Sequence, residues 1–561
     1  MSLAGRALVV PLVLAALAFA GASRAEGAHE DFPTPRGLEA NVRFWRNVYV
    51  RWSVNEIAFH DREDLSIVYR VVEVPAHGKK KGGLSRREHV KRAEDELVEV
   101  LRRPDKKQPA SADSLEGLER EVYENLAAVE RPDKYRRISL IRAQNGLREK
   151  AREGWIRVGR YEGQIRQILK DKGLPDDIIA LAFVESLFSL YARSHAGAAG
   201  MWQFMRPTAK EYMQVHHVLD ERHDPILATE AAAKYLLTAK RQLGPWPVAI
   251  TSYNYGRSGM ARAIKAVGTD DLGVIIEKYD YGRFGFAAKN YYASFLALLD
   301  VVRHPDRYFP GVSRQAPWRY DVVRLPFPVL ADQLDEVGAL SLSDLATYNP
   351  ALTKAAKRGD ELLPRGLSLR VPYGKGEAFV ERLSSLSDAQ RRSAQAHVRA
   401  WHKASGRETV KSIARRYGVD ASQIASRLGA SVSTKLKRGT RVPIPSVAVR
   451  YSLLPEARGL DIPKVEATGP LVADAKRPKL DERTVVSAVT TARPRVRVRV
   501  KVVSAEALPV TEPLPPVDVL TGIDEPPATL VDFIAGDPGA DAPWALPESD
   551  LRRDEVAPPT S

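Results

Sequence analysis

The chain has 561 residues, with 85 Lys and Arg against 70 Asp and Glu, a formal charge of +15. That length exceeds one domain and points to three or four units, while 44% hydrophobic and 28% charged residues make an ordinary globular balance. Cysteine is absent, which excludes disulfides, thiolate metal ligands and a cysteine-borne lipid anchor on the mature chain.

Arg6, the apolar run Ala7 to Ala20 and the small-residue exit Ser23-Arg24-Ala25 read as a secretory signal peptide over 1–25. The run is short for a membrane span, which takes about 20 apolar residues, and no later segment qualifies. The mature chain is expected to begin near Glu26, outside the cytoplasm, in the periplasm or cell envelope. The positive charge favours an anionic partner. For an exported chain that is an acidic wall polymer or membrane surface rather than nucleic acid, with a solvated exterior accounting for much of it.

From 26 to 155 the pattern predicts a helical region. Val42, Phe44, Trp45 and Val48 recur at helical spacing, Ser114 to Gly117 opens a second run, and Tyr135 to Trp155 reads as one long amphipathic stretch. His77 to Arg87, with Lys79-Lys80-Lys81 and two glycines, reads as an exposed loop. Over 156–312 the helix ends are sharper. Pro175-Asp176-Asp177 leads into a helix bearing Glu185, Pro207-Thr208 opens the next, and Asp224-Pro225 caps another that Gly244 closes. Lys289 to Val302 is a further amphipathic helix, and no strand pattern interrupts the block.

Beyond Pro310 a weak repeat appears. One copy, over 316–373, ends Pro364-Arg365-Gly366-Leu367-Ser368-Leu369-Arg370-Val371-Pro372, and the other, over 396–446, ends Lys437-Arg438-Gly439-Thr440-Arg441-Val442-Pro443-Ile444-Pro445. Each predicts a small βααβ unit. The Pro-rich remainder, 447–561, reads as disordered, and the alternation of basic residues with Val from Arg493 to Val503 as an extended solvated segment or an exposed strand.

Glu185 lies in the run Ala182-Phe183-Val184-Glu185-Ser186-Leu187-Phe188. Leu181 and Ala182 sit one turn before it and Phe188 nearly one turn after, so the carboxyl shares the apolar face. Loss of water raises a carboxyl's pKa and fits it to donate a proton near neutral pH; a structural Glu holding the next loop is the alternative. Ser194, Gln203, Tyr253, Asn254 and Tyr291 offer the hydroxyl, amide and phenol groups that carbohydrate hydroxyls and acetamido groups require. The 11 histidines show no metal-ligand spacing, and no metal or cofactor is expected. Asp220, Glu221 and Asp224 fit helix capping better than catalysis.

Glu185-Ser186, Gly197-Ala198-x-Gly200, Trp202-Gln203-Phe204-Met205, Asp220-x-Arg222-x-Asp224-Pro225, Tyr253-Asn254-x-Gly256 and Asn290-Tyr291 together resemble the successive motifs of soluble-lytic-transglycosylase-type domains. The resemblance is densest over about 165–300 and is nearest to the membrane-bound lytic murein transglycosylase D group. It implies an all-α, lysozyme-like catalytic domain acting on peptidoglycan glycan strands. Glu185 would be the sole acid/base, cutting the β-1,4 bond between N-acetylmuramic acid and N-acetylglucosamine to leave a 1,6-anhydro end. It further implies that Ser194, Gln203, Met205, Tyr253, Asn254 and Tyr291 line the sugar cleft; Ser194 and Gln203 could instead satisfy loop backbone groups. The repeats resemble LysM glycan-binding modules. The second copy has Leu428 where Asn is usual, the first lacks the usual Gly-Asp-Thr opening, and a structural spacer is the alternative for either. A goose-type-lysozyme-like hydrolase and a noncatalytic wall-binding protein are the competing readings of the whole.

Overall fold

The structure is a computed structural model describing residues 31–102, 115–391, 401–417, 419–444, 451–462 and 501–503. Helix α1 (Glu39–Val50) buries Phe44, Trp45, Val48 and Tyr49. After it the chain departs from the all-helical expectation for 26–155. Strands β1 (Glu56–Asp61), β2 (Val68–Glu73) and β5 (Ile141–Asn145) form an antiparallel sheet in the order β2-β1-β5. A short hairpin, β3 (Lys80–Lys81) and β4 (Leu84–Ser85), and helices α2 (Arg86–Arg102) and α3 (Gly117–Leu126) lie within this insertion. The central strand escaped detection because both its faces are covered. Ile57 and Phe59 join Leu97, Val100, Val122 and Leu126 in one core, while Ala58 joins the core around α1 and His60 meets Phe44 with ring centroids 4.5 Å apart. A six-residue strand buried on both sides loses the alternation that marks half-buried strands.

The stretch Tyr135 to Trp155 is likewise not one helix. A short 3₁₀ turn (Ile138–Leu140) leads into β5, and α4 (Arg148–Val158) begins only after Asn145-Gly146. That dipeptide is a chain breaker, and a Cβ on Gly146 would collide with the backbone of Trp52 and Ser53.

The central block is helical, as the capping signals require: α5 (Glu162–Asp171), α6 (Ile179–Ser186), α7 (Arg206–Tyr212), α8 (Pro225–Leu243), α9 (Trp246–Tyr255), α10 (Arg257–Val267), α11 (Leu272–Lys278), α12 (Phe286–Arg303) and α13 (Pro305–Tyr308). Asp224 accepts hydrogen bonds from the backbone of Ile226 and Leu227 at 3.0 Å each, and Pro225 occupies the first turn of α8. Helix α12 is buried on nearly all sides, so other helices must surround it; α1, α6 and α9 pack against it. Between α1 and α12 runs a polar seam. Asn290 Oδ1 accepts from Asn41 (2.9 Å) and Trp45 (3.2 Å), and the Tyr49 and Ser294 hydroxyls lie 2.5 Å apart.

Two small strand–helix–strand units follow, the first with three helices between its strands where two were expected. The first pairs β6 (Tyr320–Arg324) with β7 (Ser368–Pro372) around α14 (Ala331–Glu336), α15 (Leu342–Tyr348) and the one-turn α16 (Lys354–Lys357); α17 (Gly376–Ser384) follows. The second pairs β8 (Trp401–Lys403) with β9 (Arg441–Pro443) around α18 (Val410–Tyr417) and α19 (Ala421–Leu428).

The first unit is fastened to the helical block. Arg370, on β7 and 1% exposed, reaches Asp224 with both terminal nitrogens at 2.5 and 3.1 Å and lies over the rings of Trp318 and Tyr320.

Two parts of the tail depart from the disorder expected over 447–561. Residues 451–462 return to the body, burying Leu454 and Ala457. There Ser452 donates to Glu221 from both backbone and hydroxyl (2.8 and 2.7 Å), Arg458 pairs with Glu230 at 2.5 Å, and Tyr320 donates to Glu456 at 2.9 Å. Strand β10 (Lys501–Val503) pairs antiparallel with β6. Partners on the helical block and first unit explain both, since composition cannot reveal distant partners. Residues 1–25, all of 493–500 and most of the rest of the tail lie outside the described residues. No helix among the described residues is long and apolar enough to cross a membrane.

Candidate active site

Every residue of α6 is buried, and Glu185 lies in its last turn with 4% of its surface exposed. The helix stops there because Leu187 and Phe188 both adopt left-handed backbone angles, φ 49° and 62°. That conformation is costly for large side chains and persists only where packing enforces it. Both are buried, Arg157 of α4 donates to the Leu187 carbonyl at 2.8 Å, and Gly154 lets α4 approach, since a Cβ there would stand 2.7 Å from that carbonyl. A helix from before the central block therefore helps set the end of α6.

The Glu185 carboxyl accepts a short hydrogen bond from the Tyr291 hydroxyl of α12. Burial raises its pKa from 4.5 to about 8, with the Tyr291 hydrogen bond acting in the opposite sense. No second carboxylate among the described residues contributes to that shift. The phenols of Tyr291 and Tyr253 are themselves held far above the ordinary range, first by burial and then by the neighbouring Glu185. Tyr49 of α1 also lies close enough to feel the Glu185 charge. Sequence periodicity places Tyr49 on the buried face of α1, one turn after Trp45, but gives no sign that this face backs the acid.

Ser186 ties α6 to the following loop, its hydroxyl donating to the Met201 carbonyl at 2.8 Å. The loop folds on itself through Gly200 N to Ala192 O (3.0 Å) and Ala199 N to Phe204 O (3.2 Å). Arg222 clamps it by donating to the carbonyls of Gly197 (3.0 Å) and Phe204 (3.1 Å). Gly200 has φ +82°, and any Cβ would drive into the Arg222 carbonyl, so only glycine fits. The buried Trp202 donates to Thr229 on α8 at 2.9 Å. Ser194 accepts from the Ala198 N–H at 2.9 Å, and the Gln203 amide donates to the carbonyls of Ala192 (3.2 Å) and Gly200 (2.6 Å). Both thus satisfy loop backbone, while the buried Gln203 Oε1 has no protein partner and remains able to accept.

A cleft of about 490 Å³ opens beside this loop, lined by Gln203, Met205, Tyr253 and Asn254 together with Tyr235, Tyr255, Arg262 and the loop Tyr281 to Arg283. Tyr253 joins cleft to acid, since it lines the cavity, donates to the Trp202 carbonyl at 2.9 Å and senses the Glu185 charge. Ser194, Glu185 and Tyr291 do not form the cavity wall; Tyr291 stands behind it as the hydrogen-bond donor to Glu185.

The carboxylates expected to cap helices divide. Asp224 caps α8, but Asp220 is engaged by Arg222 at 2.8 Å through two nitrogens, and Glu221 accepts from Gln214 N and holds Ser452. His216 and His217 lie in a bend with ring centroids 5.5 Å apart.

Residues 164–273 match the Transglycosylase SLT domain family. The chain is 27% identical over 299 residues to membrane-bound lytic murein transglycosylase D of Escherichia coli K12, an alignment covering 52% of this chain and 64% of that relative. Residues 164–273 are thus similar to a transglycosylase SLT domain, and the chain spans somewhat under two thirds of the length of the relative it matches. Among solved structures, the 70 kDa soluble lytic transglycosylase of E. coli matches 40% of this chain and 45% of its own at 16% identity, TM-score 0.24. An inactive mutant of lytic transglycosylase Slt from Pseudomonas aeruginosa matches 27% and 24% at 22% identity, TM-score 0.22.

Proposed function

We propose that the chain is an exported peptidoglycan lytic transglycosylase in which Glu185 acts alone, first as acid and then as base. The observation that carries this is the buried Glu185 carboxyl, its pKa raised to about 8, hydrogen-bonded by Tyr291 beside a polar, aromatic cleft. Protonated at neutral pH, Glu185 gives its proton to the glycosidic oxygen linking N-acetylmuramic acid to the next sugar, and that C–O bond breaks. The resulting carboxylate takes the proton of the muramyl C6 hydroxyl as its oxygen bonds to C1. The acid is regenerated and no water is consumed. Two-carboxylate glycosidases need a second acid to supply a nucleophile or activate water; a hydroxyl within the substrate removes that need.

Mass analysis of products from purified protein and isolated sacculi tests the assignment. Products one water lighter than hydrolytic ends are expected. Ordinary reducing ends would instead make the protein a hydrolase, and intact sacculi would make it a wall-binding protein. The second βααβ unit is assigned glycan binding on its LysM-like pattern. The first serves as a spacer fixed to the catalytic block, because Arg370 and Asn349 are committed to internal contacts.

The raised pKa gives a pH profile. A general acid must hold its proton, so kcat/KM is expected to be level toward neutral pH and to fall above about 8. Tyr291→Phe removes a hydrogen bond that lowers this pKa, so the alkaline limb should move to higher pH. The rate should also drop by about 10- to 100-fold as the carboxyl loses its orienting partner. An alkaline limb unmoved in Tyr291→Phe would detach Tyr291 from the acid.

A further inference from the structure

The cleft carries charge that the acid–base chemistry leaves unused. Arg262, on α10, and Arg283, in the loop between α11 and α12, line the same cavity as Gln203 and Tyr253, and no Asp or Glu joins that lining. Both arginines are exposed, and neither forms an ion pair with a carboxylate among the described residues. The loop bearing Arg283 is anchored: the neighbouring Phe284 is 2% exposed and its ring meets Tyr255 and Tyr279 edge-on at 4.9 and 5.5 Å. Tyr281, 66% exposed, stands at the same rim. Two guanidinium groups on separate elements, facing one cavity without a counter-charge, form a ready acceptor for a planar anion.

We propose that Arg262 and Arg283 form a subsite for a carboxylate of the peptide borne by the muramyl sugar, so that the enzyme prefers peptide-bearing strands to bare glycan. This rests on the transglycosylase reading. On that reading the muramyl sugar bears, on its lactyl group, a peptide with free carboxylates, and Arg262 and Arg283 line the same cavity as the polar groups of Gln203, Tyr253 and Asn254. Arginine suits them because its fork engages both oxygens. Tyr281 offers a ring against which the peptide backbone can lie.

The test compares the full-length wild type, Arg262→Gln, Arg283→Gln and the double variant on intact sacculi and on the same glycan stripped of peptide by an amidase. The readout is the ratio of kcat/KM on the two substrates. Wild type should favour peptide-bearing strands about tenfold, as expected for hydrogen bonds to a charged group. The double variant should bring the ratio close to one through KM, with each single variant between. An unchanged ratio in the double variant overturns the subsite, as does equal loss on both substrates, which would mark the arginines as general glycan contacts or supports of the loop. If wild type gave no anhydro ends on either substrate, the failure would belong to the transglycosylase reading itself.

Discussion

Glu185→Gln is expected to lower strand cleavage by about 10³-fold or more, because general acid–base catalysis alone contributes up to about 10⁴-fold and the proposed mechanism assigns both halves of it to this one group. The replacement keeps the size of the side chain and an oxygen to accept from Tyr291, so the fold should survive. Its stability should change in a way that reports the proton. In the native protein Glu185 holds its proton up to about pH 8, whereas the unfolded chain releases it near 4.5. The folded state therefore binds more protons across that window, and stability falls as pH rises through it. The Gln variant lacks this dependence. Chemical denaturation at pH 5 and pH 8 should show a smaller decline in the variant than in the wild type, while release of soluble muropeptides from sacculi is lost. Wild-type activity in the Gln variant would remove Glu185 from the chemistry.

The second large effect is structural. Arg370 and Asp224 are both almost fully buried and form a bidentate pair across the join of the helical block and the first βααβ unit. Removing one partner of such a pair leaves an uncompensated charge in the interior and costs about 3–5 kcal/mol. Arg370→Met should therefore lower the melting temperature by about 10 °C or more. Adding Asp224→Asn should recover much of that loss, since Asn also caps helices well and carries no charge. A loss under about 1 kcal/mol in Arg370→Met, or no recovery in the double variant, would show that the join does not depend on this pair. A drop in activity is expected alongside, because Asp224 caps the helix whose Thr229 receives the Trp202 indole beside the cleft loop.

What could be read from the chain tracks how local the causes are. The Asp224 cap, the Pro207 and Pro225 starts and the Gly244 stop are decided within a few residues, and the helices form where those signals stand. The burial of Glu185 was legible too, because α6 is apolar on every side. Partners distant in sequence were hidden. The β1 strand is buried by elements on both sides and loses its alternation, and the Tyr135 to Trp155 periodicity concealed a turn at Asn145-Gly146. Glu221 looks like a capping acid until Ser452, far along the chain, is seen to donate to it. Arg262 and Arg283 are unremarkable surface arginines until the fold turns them into one cavity.

The segment 451–462 has a topological consequence. The second βααβ unit is not a pendant bead on a loose end. On its upstream side Gln333 grips the Gln390 carbonyl, and on its downstream side Ser452 is held by Glu221. The unit is thus an excursion that leaves the body and comes home to it, held at both ends like the bail of a bucket.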